Sequence, residues 1–420
     1  MSTKPSDTFC MLPFSSLSTR NDGVLRICCN NYSYPKDTQG NELTVAGKSD
    51  IADLFNNSLH RDIRSSMLKG EKHTSCQRCW DNEKNGGRSF RHVWNDIYGD
   101  KHEEILSDVA ADGTLNAPRF YYMDITFGNN CNLRCRMCNP VNSKLLIPED
   151  LAIGITDKHF LSNMPVMDWY QQPQFMDIFR SVLPHLDRLN FLGGEPLFVR
   201  EHMDLLAILV KEGRAHAIEI QYNTNLSQIP ERLYDLWRHF KRVNVGVSVD
   251  GVGRVNEFIR YPSTWDNLIK NIHSIAHDYD GKNIALSIHS TIQIYNIMNW
   301  GEILQWVARD LGDLGFHRVP YALYVGRPEW FDACILPTEF KQRAYDKVME
   351  SIAKLPVHLF DHEENAKLST VKSLFEHIRH TTPPDREKHW GKFLEISQGM
   401  DVFRGQRIQD ELPELAGFFP

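Results

Sequence analysis

The chain has 420 residues, 41% of them hydrophobic and 24% charged, and a formal net charge of −7. This composition is typical of an ordinary globular protein, the length allows two or three domains, and the acidic balance argues against bulk nucleic-acid binding unless a local basic patch exists. No apolar run is long enough to span a bilayer and the polar start MSTKPSDTFC lacks the apolar stretch of a signal peptide, so we expect a cytoplasmic protein without a membrane partner.

Eight of the nine cysteines precede residue 140 and form two groups. In a reducing compartment, cysteines indicate metal ligands or reactive thiols before disulfides. The first group predicts a small metal-organised domain at the start of the chain, and its members are Cys10, Cys28, Cys29, Cys76 and Cys79. The stretch SDVAADGTLNAP, rich in small and turn-forming residues, predicts a domain boundary near residues 105–118.

Residues 60–92 contain eight Lys or Arg and four Asp or Glu, with Trp80 and Phe90 among them. A solvated basic face is the default interpretation of such a segment. The sharper hypothesis is contact with an anionic substrate such as a nucleic-acid backbone.

From Phe120 onward, short apolar strands alternate with helical stretches, as parallel βα units require. Amphipathic helices are predicted at Glu201–Gly213 and Trp265–Tyr279, and helices with polar connections over 336–420. The long insertion 142–173 is a plausible substrate lid. The predicted strands are Tyr121–Phe127, Arg188–Leu192, Ile218–Tyr222, Val243–Val249, Ile284–Ile292 and Arg318–Tyr324. We therefore expect three domains, at residues 1–117, 118–335 and 336–420.

The second cysteine group follows the first of these strands in the run ITFGNNCNLRCRMCNP, where Cys131, Cys135 and Cys138 have the spacing Cys-x3-Cys-x2-Cys. That spacing fits three thiolates around one iron–sulfur cube, and because such clusters normally have four thiolates, the fourth iron stays open for a ligand. A zinc knuckle or chance spacing is the alternative.

Three later strands also end in polar or glycine-containing runs. These are FLGGEPL at 191–197, QYNTNL at 221–226 and VSVDG at 247–251, and the segment FIRYPSTW follows. Each polar residue taken singly fits an ordinary turn or cap, but their ordered succession at strand ends favours one shared ligand site.

These motifs together resemble the radical S-adenosylmethionine (SAM) superfamily. The resemblance implies an α/β chain with a partial (β/α)6 TIM-type barrel, preceded by a small cysteine-rich α+β auxiliary-cluster domain and followed by C-terminal helices. It also implies that SAM binds the open iron and that one electron cleaves SAM to a 5′-deoxyadenosyl radical, which removes a substrate hydrogen atom. Reduced flavodoxin or ferredoxin is the implied electron donor.

The resemblance assigns SAM contacts residue by residue. Glu195 accepts a hydrogen bond from the SAM ammonium, and Gly193 and Gly194, before Pro196, let the backbone approach the ligand. Arg260 pairs with the SAM carboxylate through its bidentate fork. The other implied SAM contacts are Asn225, Ser248 and Met137, which stands where many relatives have an aromatic residue. Relatives also have glycine where this chain has Leu226.

The N-terminal segment is similar to the twitch and SPASM auxiliary-cluster domains, although those usually follow the barrel. The similarity includes a hairpin turn at Asp22-Gly23 and a cysteine five residues after that glycine. It implies a second 4Fe–4S cluster for electron transfer, with Cys28 preferred over Cys29 because successive strand residues face opposite sides. The implied ligands are Cys10, Cys28, Cys76 and Cys79. A four-cysteine zinc site has compatible spacing and stays open.

Three functions follow for consideration. The first is radical modification of a peptide or protein side chain. The second is radical modification or isomerisation of a nucleobase or its amino-acid substituent in viral DNA hypermodification. The third is a non-catalytic zinc and iron–sulfur binding protein. Cys334, alone after the sixth predicted strand, is either a hydrogen-atom donor to a product radical or a buried inert thiol.

Overall fold

The structure is a computed structural model that describes residues 6–45, 51–84, 87–277, 279 and 282–419. Its strands are β1 Ser16–Thr19, β2 Leu25–Arg26, β3 Tyr122–Phe127, β4 Arg188–Gly193, β5 Glu219–Thr224, β6 Arg242–Ser248, β7 Ile284–Ile292 and β8 Tyr321–Tyr324. Its helices are α1 Leu12–Ser15, α2 Ile51–Phe55, α3 Ser58–Leu68, α4 Gln77–Lys84, α5 Phe90–Ile97, α6 His102–Ser107, α7 Ile147–Ala152, α8 Lys158–Ser162, α9 Pro173–Val182, α10 Arg200–Lys211, α11 Glu231–Trp237, α12 Arg254–Ile259, α13 Trp265–His277, α14 Trp300–Trp306, α15 Thr338–Ala353, α16 His362–His380, α17 Arg386–Arg404 and α18 Ile408–Glu411.

The six predicted strands are all present, as β3 to β8, and the two amphipathic helices are α10 and α13. The strands formed where they were expected because apolar and β-branched residues cluster between turn signals. The C-terminal prediction is also confirmed, since α15 to α18 occupy most of residues 336–420. The result is an α/β fold with parallel strands and many helices. No helix in the described ranges has the length and apolarity needed to cross a membrane.

The chain divides into two compact units. The first comprises Met1–Asn129, Pro165–Gln221 and His239–Lys241. Its strands lie in the order β2-β1-β3-β4. The predicted hairpin is present, because β1 and β2 pair antiparallel around Gly23, which has a φ of +77°. The sequence did not indicate that β1 also pairs parallel with β3, with Ser16 opposite Tyr122.

The second unit comprises Asn130–Met164, Tyr222–Arg238 and Arg242–Pro420. It contains the parallel strands β6, β7 and β8 in that order, with Val243 opposite Ile284. Helices α14 to α16 pack in succession. The buried faces of these helices provide an apolar core that includes Trp300, Val371 and Phe375. The predicted domain bounds at 117 and 335 stay a prediction.

Candidate functional site

The second cysteine group forms a compact loop in the second unit. Cys135 is buried, whereas Cys131 and Cys138 are half-buried. The Cys138 N–H donates to the Cys135 carbonyl at 3.0 Å, and the Leu133 N–H donates to Cys131 Sγ at 3.4 Å. Burial raises the pKa of Cys138, and the neighbouring Cys135 and Cys131 thiols raise it further. The Cys131 and Cys135 thiols thus both act electrostatically on Cys138 within this loop.

Cys135 lies directly opposite Arg260 in a short antiparallel backbone pairing. The Arg134 N–H donates to the Tyr261 carbonyl at 2.6 Å, and the Arg136 N–H donates to the Ile259 carbonyl at 2.8 Å. Burial raises the pKa of Cys135, and the Arg260 charge acts in the opposite direction. The implied carboxylate-binding arginine thus stands beside the middle cysteine of the motif.

Arg260 is paired with a carboxylate that the sequence analysis missed. Its Nη2 lies 2.7 Å from Asp250 Oδ2, and both side chains are buried. Asp250 Oδ1 also accepts the Thr291 N–H at 2.7 Å. The Nε of Arg260 is buried and has no hydrogen-bond partner among the described residues. Asp250 can therefore hold the guanidinium in place while part of its fork stays available to a ligand carboxylate. Asp250 belongs to the run VSVDG, but its pairing with Arg260 depends on the fold.

The end of β5 contacts the cysteine loop through an amide. Asn225 Nδ2 donates to Asn132 Oδ1 at 2.9 Å and lies 3.9 Å from Cys131 Sγ. Leu226, at the position where relatives have glycine, has a φ of +50° and is fully buried. A left-handed conformation is strained for a side chain with a Cβ, so the backbone keeps the glycine-like turn despite the leucine. Ser248 is half-buried at the end of β6.

Helix α17 and the segment that follows it hold the cysteine loop in place through buried polar contacts. Arg136, fully buried, donates from Nη2 to Asp401 Oδ1 at 2.5 Å and to Gln406 Oε1 at 3.0 Å. Its guanidinium carbon lies 3.5 Å from the centre of the Phe258 ring. A second buried pair joins Arg404 to Glu149 at 2.6 Å. Sequence spacing gave no signal for these pairs, whose members are more than 250 residues apart.

The Gly-Gly-Glu-Pro run lies in the first unit. Gly193 has a φ of +141°, and a Cβ there would lie 2.2 Å from the Phe127 carbonyl oxygen, so only glycine fits. The Glu195 side chain is buried and accepts the Leu197 N–H at 3.1 Å. Pro196 opens a 3-10 turn. Gly194 precedes this turn, and its N–H donates to the Phe127 carbonyl at 3.4 Å.

Four cysteines of the first group surround one cavity, namely Cys10, Cys28, Cys76 and Cys79. Burial raises the pKa of the Cys28 thiol to about 12, and the Cys76 and Cys79 thiols contribute. Cys29 does not line this cavity but lies near the buried carboxylate of Asp124. β2 ends at Arg26, so the two adjacent cysteines diverge in a turn and not along a strand. Within the described ranges, no three His, Cys, Asp or Glu side chains are arranged to hold a metal ion.

The remaining candidates are Cys334, the basic segment 60–92 and Met137. Cys334 is buried, and its Sγ lies 3.1 Å from the Tyr324 hydroxyl. In the basic segment, Arg64 and Arg91 are buried. Arg91 forms an ion pair with Glu83 at 2.8 Å and lines the four-cysteine cavity. The exposed basic residues of the segment are Lys69, Lys72, Arg78, Lys84 and Arg88. Met137 is half-buried within the cysteine loop.

Comparison with solved structures finds similar but distant chains. Streptococcus suis SuiB bound to precursor peptide SuiA is 11% identical, over 70% of this chain and 63% of that chain, with a TM-score of 0.34. Native anSMEcpe with bound AdoMet and Kp18Cys peptide is 14% identical, over 55% and 59%, with a TM-score of 0.35. TYW1 with a lysine-pyruvate adduct bound is 14% identical, over 52% and 70%, with a TM-score of 0.27. The chain thus spans about three fifths of the first two.

Comparison with family models gives a match to the Radical SAM superfamily over residues 125–307. The matched region begins within β3, includes the whole cysteine loop and the Gly-Gly-Glu-Pro run, and continues past α14. It contains every residue for which the sequence implies a SAM contact. Residues 125–307 therefore resemble a radical SAM domain, with the cysteine loop inside the matched region.

Proposed function

We propose that this enzyme cleaves SAM reductively at a 4Fe–4S cluster held by Cys131, Cys135 and Cys138, and that the resulting 5′-deoxyadenosyl radical removes a hydrogen atom from a peptide or protein side chain. The observation that carries the proposal is the position of Cys135 opposite the buried Arg260–Asp250 pair. Three thiols near one cationic, buried fork suit a cluster with one open iron and a carboxylate-bearing ligand beside it. When bound, the cluster supplies the electron that cleaves SAM.

The chain's own residues bind and orient this ligand. Arg260 receives the SAM carboxylate, with Asp250 fixing the plane of its guanidinium. Asn225 holds the cysteine loop through Asn132, and Ser248 offers a hydroxyl at the end of β6. The carboxylate of Glu195 accepts a hydrogen bond from the SAM ammonium. Gly193, Gly194 and Pro196 shape the turn beside it, and Met137 packs against the adenine, because a thioether packs well on a ring face.

The second cluster is also part of the proposal. The thiols of Cys10, Cys28, Cys76 and Cys79 line a single cavity, which suits four ligands of one 4Fe–4S cluster with no open iron. Arg91 lines the same cavity, and its ion pair with Glu83 holds its guanidinium there. Electron transfer, supplied by reduced flavodoxin or ferredoxin, is the role that a fully ligated cluster can perform.

A nucleobase substrate is the second candidate, and the exposed lysines and arginines of residues 60–92 favour it. Five exposed cations on one short segment suit contact with phosphates. The segment's tryptophan gives no stacking surface for a base, because Trp80 is buried under Lys72 and Arg91. The peptide substrate is therefore preferred.

The experiment is a search for SAM-dependent mass changes with the anaerobically reconstituted enzyme and a chemical reductant. Peptide and DNA fractions serve as parallel substrates, and the Cys135→Ala variant serves as the inactive control. A mass change in the peptide fraction alone supports the proposal. A change confined to DNA replaces it with the nucleobase reaction.

A further inference from the structure

A cavity of about 310 Å³ lies in the second unit and is lined by Cys138. This volume is at the lower end of the range for small-ligand sites, about 300–1,000 Å³. Helix α17 contributes Met400, and the segment after β8 contributes Trp330 and Phe331. The cavity reaches the third cysteine of the loop, so a group bound in it lies beside a proposed cluster ligand.

Asp150 is the one acidic residue that lines this cavity within the described ranges. It is 2% exposed, and its carboxyl has no hydrogen-bond or ion-pair partner among the described residues. The adjacent Glu149 is already neutralised by Arg404 at 2.6 Å and Arg134 at 3.9 Å. Burial, with Glu149 nearby, raises the pKa of Asp150 to about 7. A buried carboxyl without a partner is costly, and a cationic ligand group would satisfy it.

The other walls suit the rest of such a ligand. Phe160, Phe331 and Trp330 line the cavity with aromatic rings, which attract a cation and pack against methylene groups. The Trp330 Nε1 and the Thr156 hydroxyl are buried and have no partner among the described residues. The indole N–H is a donor and the hydroxyl can donate too, so both can serve a carbonyl oxygen of a peptide backbone.

We propose that this cavity binds the side chain of a lysyl residue of the substrate peptide, with the ammonium on Asp150 and the methylenes between the aromatic rings. That the ligand belongs to a peptide rests on the proposed function. The binding of an ammonium group by Asp150 does not depend on that function. A short aliphatic chain that ends in an ammonium matches an apolar cavity with one buried, unpartnered carboxyl.

The test is calorimetric titration of the reconstituted holoenzyme, saturated with SAM, using Nα-acetyl-lysine N-methylamide as the probe. We expect saturable binding, at least tenfold weaker binding in Asp150→Asn, and no binding of the norleucine analogue, which has the methylenes without the ammonium. Glu329→Gln is the matched control, because Glu329 is an exposed carboxylate next to Trp330 and outside the cavity. Equal binding of the norleucine analogue, or unchanged affinity in Asp150→Asn, would overturn the proposal.

The pH dependence provides a second measurement. The charged groups that act on Asp150 are Glu149 and Arg404. Since the ammonium requires the ionised carboxyl, affinity should fall as pH is lowered from 8 to 6 through the raised pKa, and Asp150→Asn should remove this dependence. If SAM and the probe exclude each other, the cavity belongs to SAM and the proposal is wrong. Formation of 5′-deoxyadenosine, measured separately, tests the proposed function without reference to lysine.

Discussion

Cys135 and Arg260 lie opposite each other because the backbone N–H groups of Arg134 and Arg136 donate to the carbonyls of Tyr261 and Ile259. The register of this pairing fixes a candidate cluster ligand beside a candidate carboxylate ligand without any direct bond between their side chains. A one-residue slip would turn one of the two away.

Arg260→Lys should weaken SAM binding at least tenfold, because lysine cannot reproduce a planar two-pronged contact with a carboxylate. A hydrogen bond to a charged group contributes about 1.5–3 kcal/mol, which sets the size of the effect. Arg254→Lys is the matched control, since Arg254 is exposed and pairs with Glu411 on the surface. Equilibrium binding of SAM to the reconstituted variants measures the effect. Equal affinity in both variants would place the carboxylate partner elsewhere.

Asp401→Asn should destabilise the protein and reduce iron retention at the cysteine loop. Arg136 would lose its only carboxylate partner among the described residues while remaining buried, and breaking a buried ion pair costs about 3–5 kcal/mol. Urea unfolding and the iron content after gel filtration are the two readouts. Asp410→Asn, which removes an exposed carboxylate near Arg407, should change neither. Full iron retention in Asp401→Asn would show that α17 does not position the loop.

Substitutions at Leu226 compare two contributions to stability, the burial of its side chain and the strain of its left-handed backbone conformation. Leu226→Ala should destabilise by about 3–5 kcal/mol, because the side chain is fully buried. Leu226→Gly loses the same contacts but relieves a left-handed conformation worth about 1–2 kcal/mol. At this position, glycine should therefore be at least as stable as alanine, the reverse of the usual order. A glycine variant clearly less stable than the alanine variant in urea unfolding would contradict the φ of Leu226.

The metal-free protein should lose stability at alkaline pH. Burial raises the pKa of Cys28 and of Cys76 to about 12 each, so both thiols stay protonated in the folded state. The unfolded chain releases these protons from about pH 8.5, so the stabilisation is complete below that pH and is lost as pH rises toward 12. Urea midpoints at pH 7.5 and 10 measure the loss. Cys28→Ser should show a smaller loss than the parent, and an equal loss would contradict the thiol assignment.

The fully reconstituted enzyme should contain about eight irons if both cysteine groups hold 4Fe–4S clusters. Replacing Cys76 and Cys79 by alanine should halve the iron and leave SAM cleavage measurable. Replacing Cys29, which lies near Asp124 and outside the four-cysteine cavity, should leave the iron content unchanged. A content of four irons and one zinc would contradict the assignment of a second iron–sulfur cluster, but not the assignment of the first.

Local features of the chain were predictable, whereas distant partners were not. The strands and the turn at Gly23 follow from short-range patterns. The spacing of Cys131, Cys135 and Cys138 is itself the pattern that predicts the ligands of one iron–sulfur cluster. The parallel pairing of β1 with β3 joins residues more than 100 positions apart and leaves no periodic signal. Asp250 was overlooked because its role depends on Arg260 folding against it.

The preference for Cys28 over Cys29 as a cluster ligand stays a prediction, but one of its two reasons does not hold. The spacing of five residues from Gly23 was one reason, and strand alternation was the other, but β2 ends at Arg26, before either cysteine. The turn that follows sends Cys28 to the four-cysteine cavity and Cys29 toward Asp124. Turn geometry of this kind depends on packing against the rest of the unit, which residue pattern alone does not encode.

The central claim is that the cysteine loop holds the cluster at which SAM is cleaved. The most direct measurement is the yield of 5′-deoxyadenosine from SAM and dithionite under anaerobic conditions, in the parent, in Cys135→Ala and in Cys29→Ala. The account predicts product from the parent and from Cys29→Ala and none from Cys135→Ala, because two thiolates do not hold the SAM-binding cluster. Retained cleavage in Cys135→Ala would contradict it.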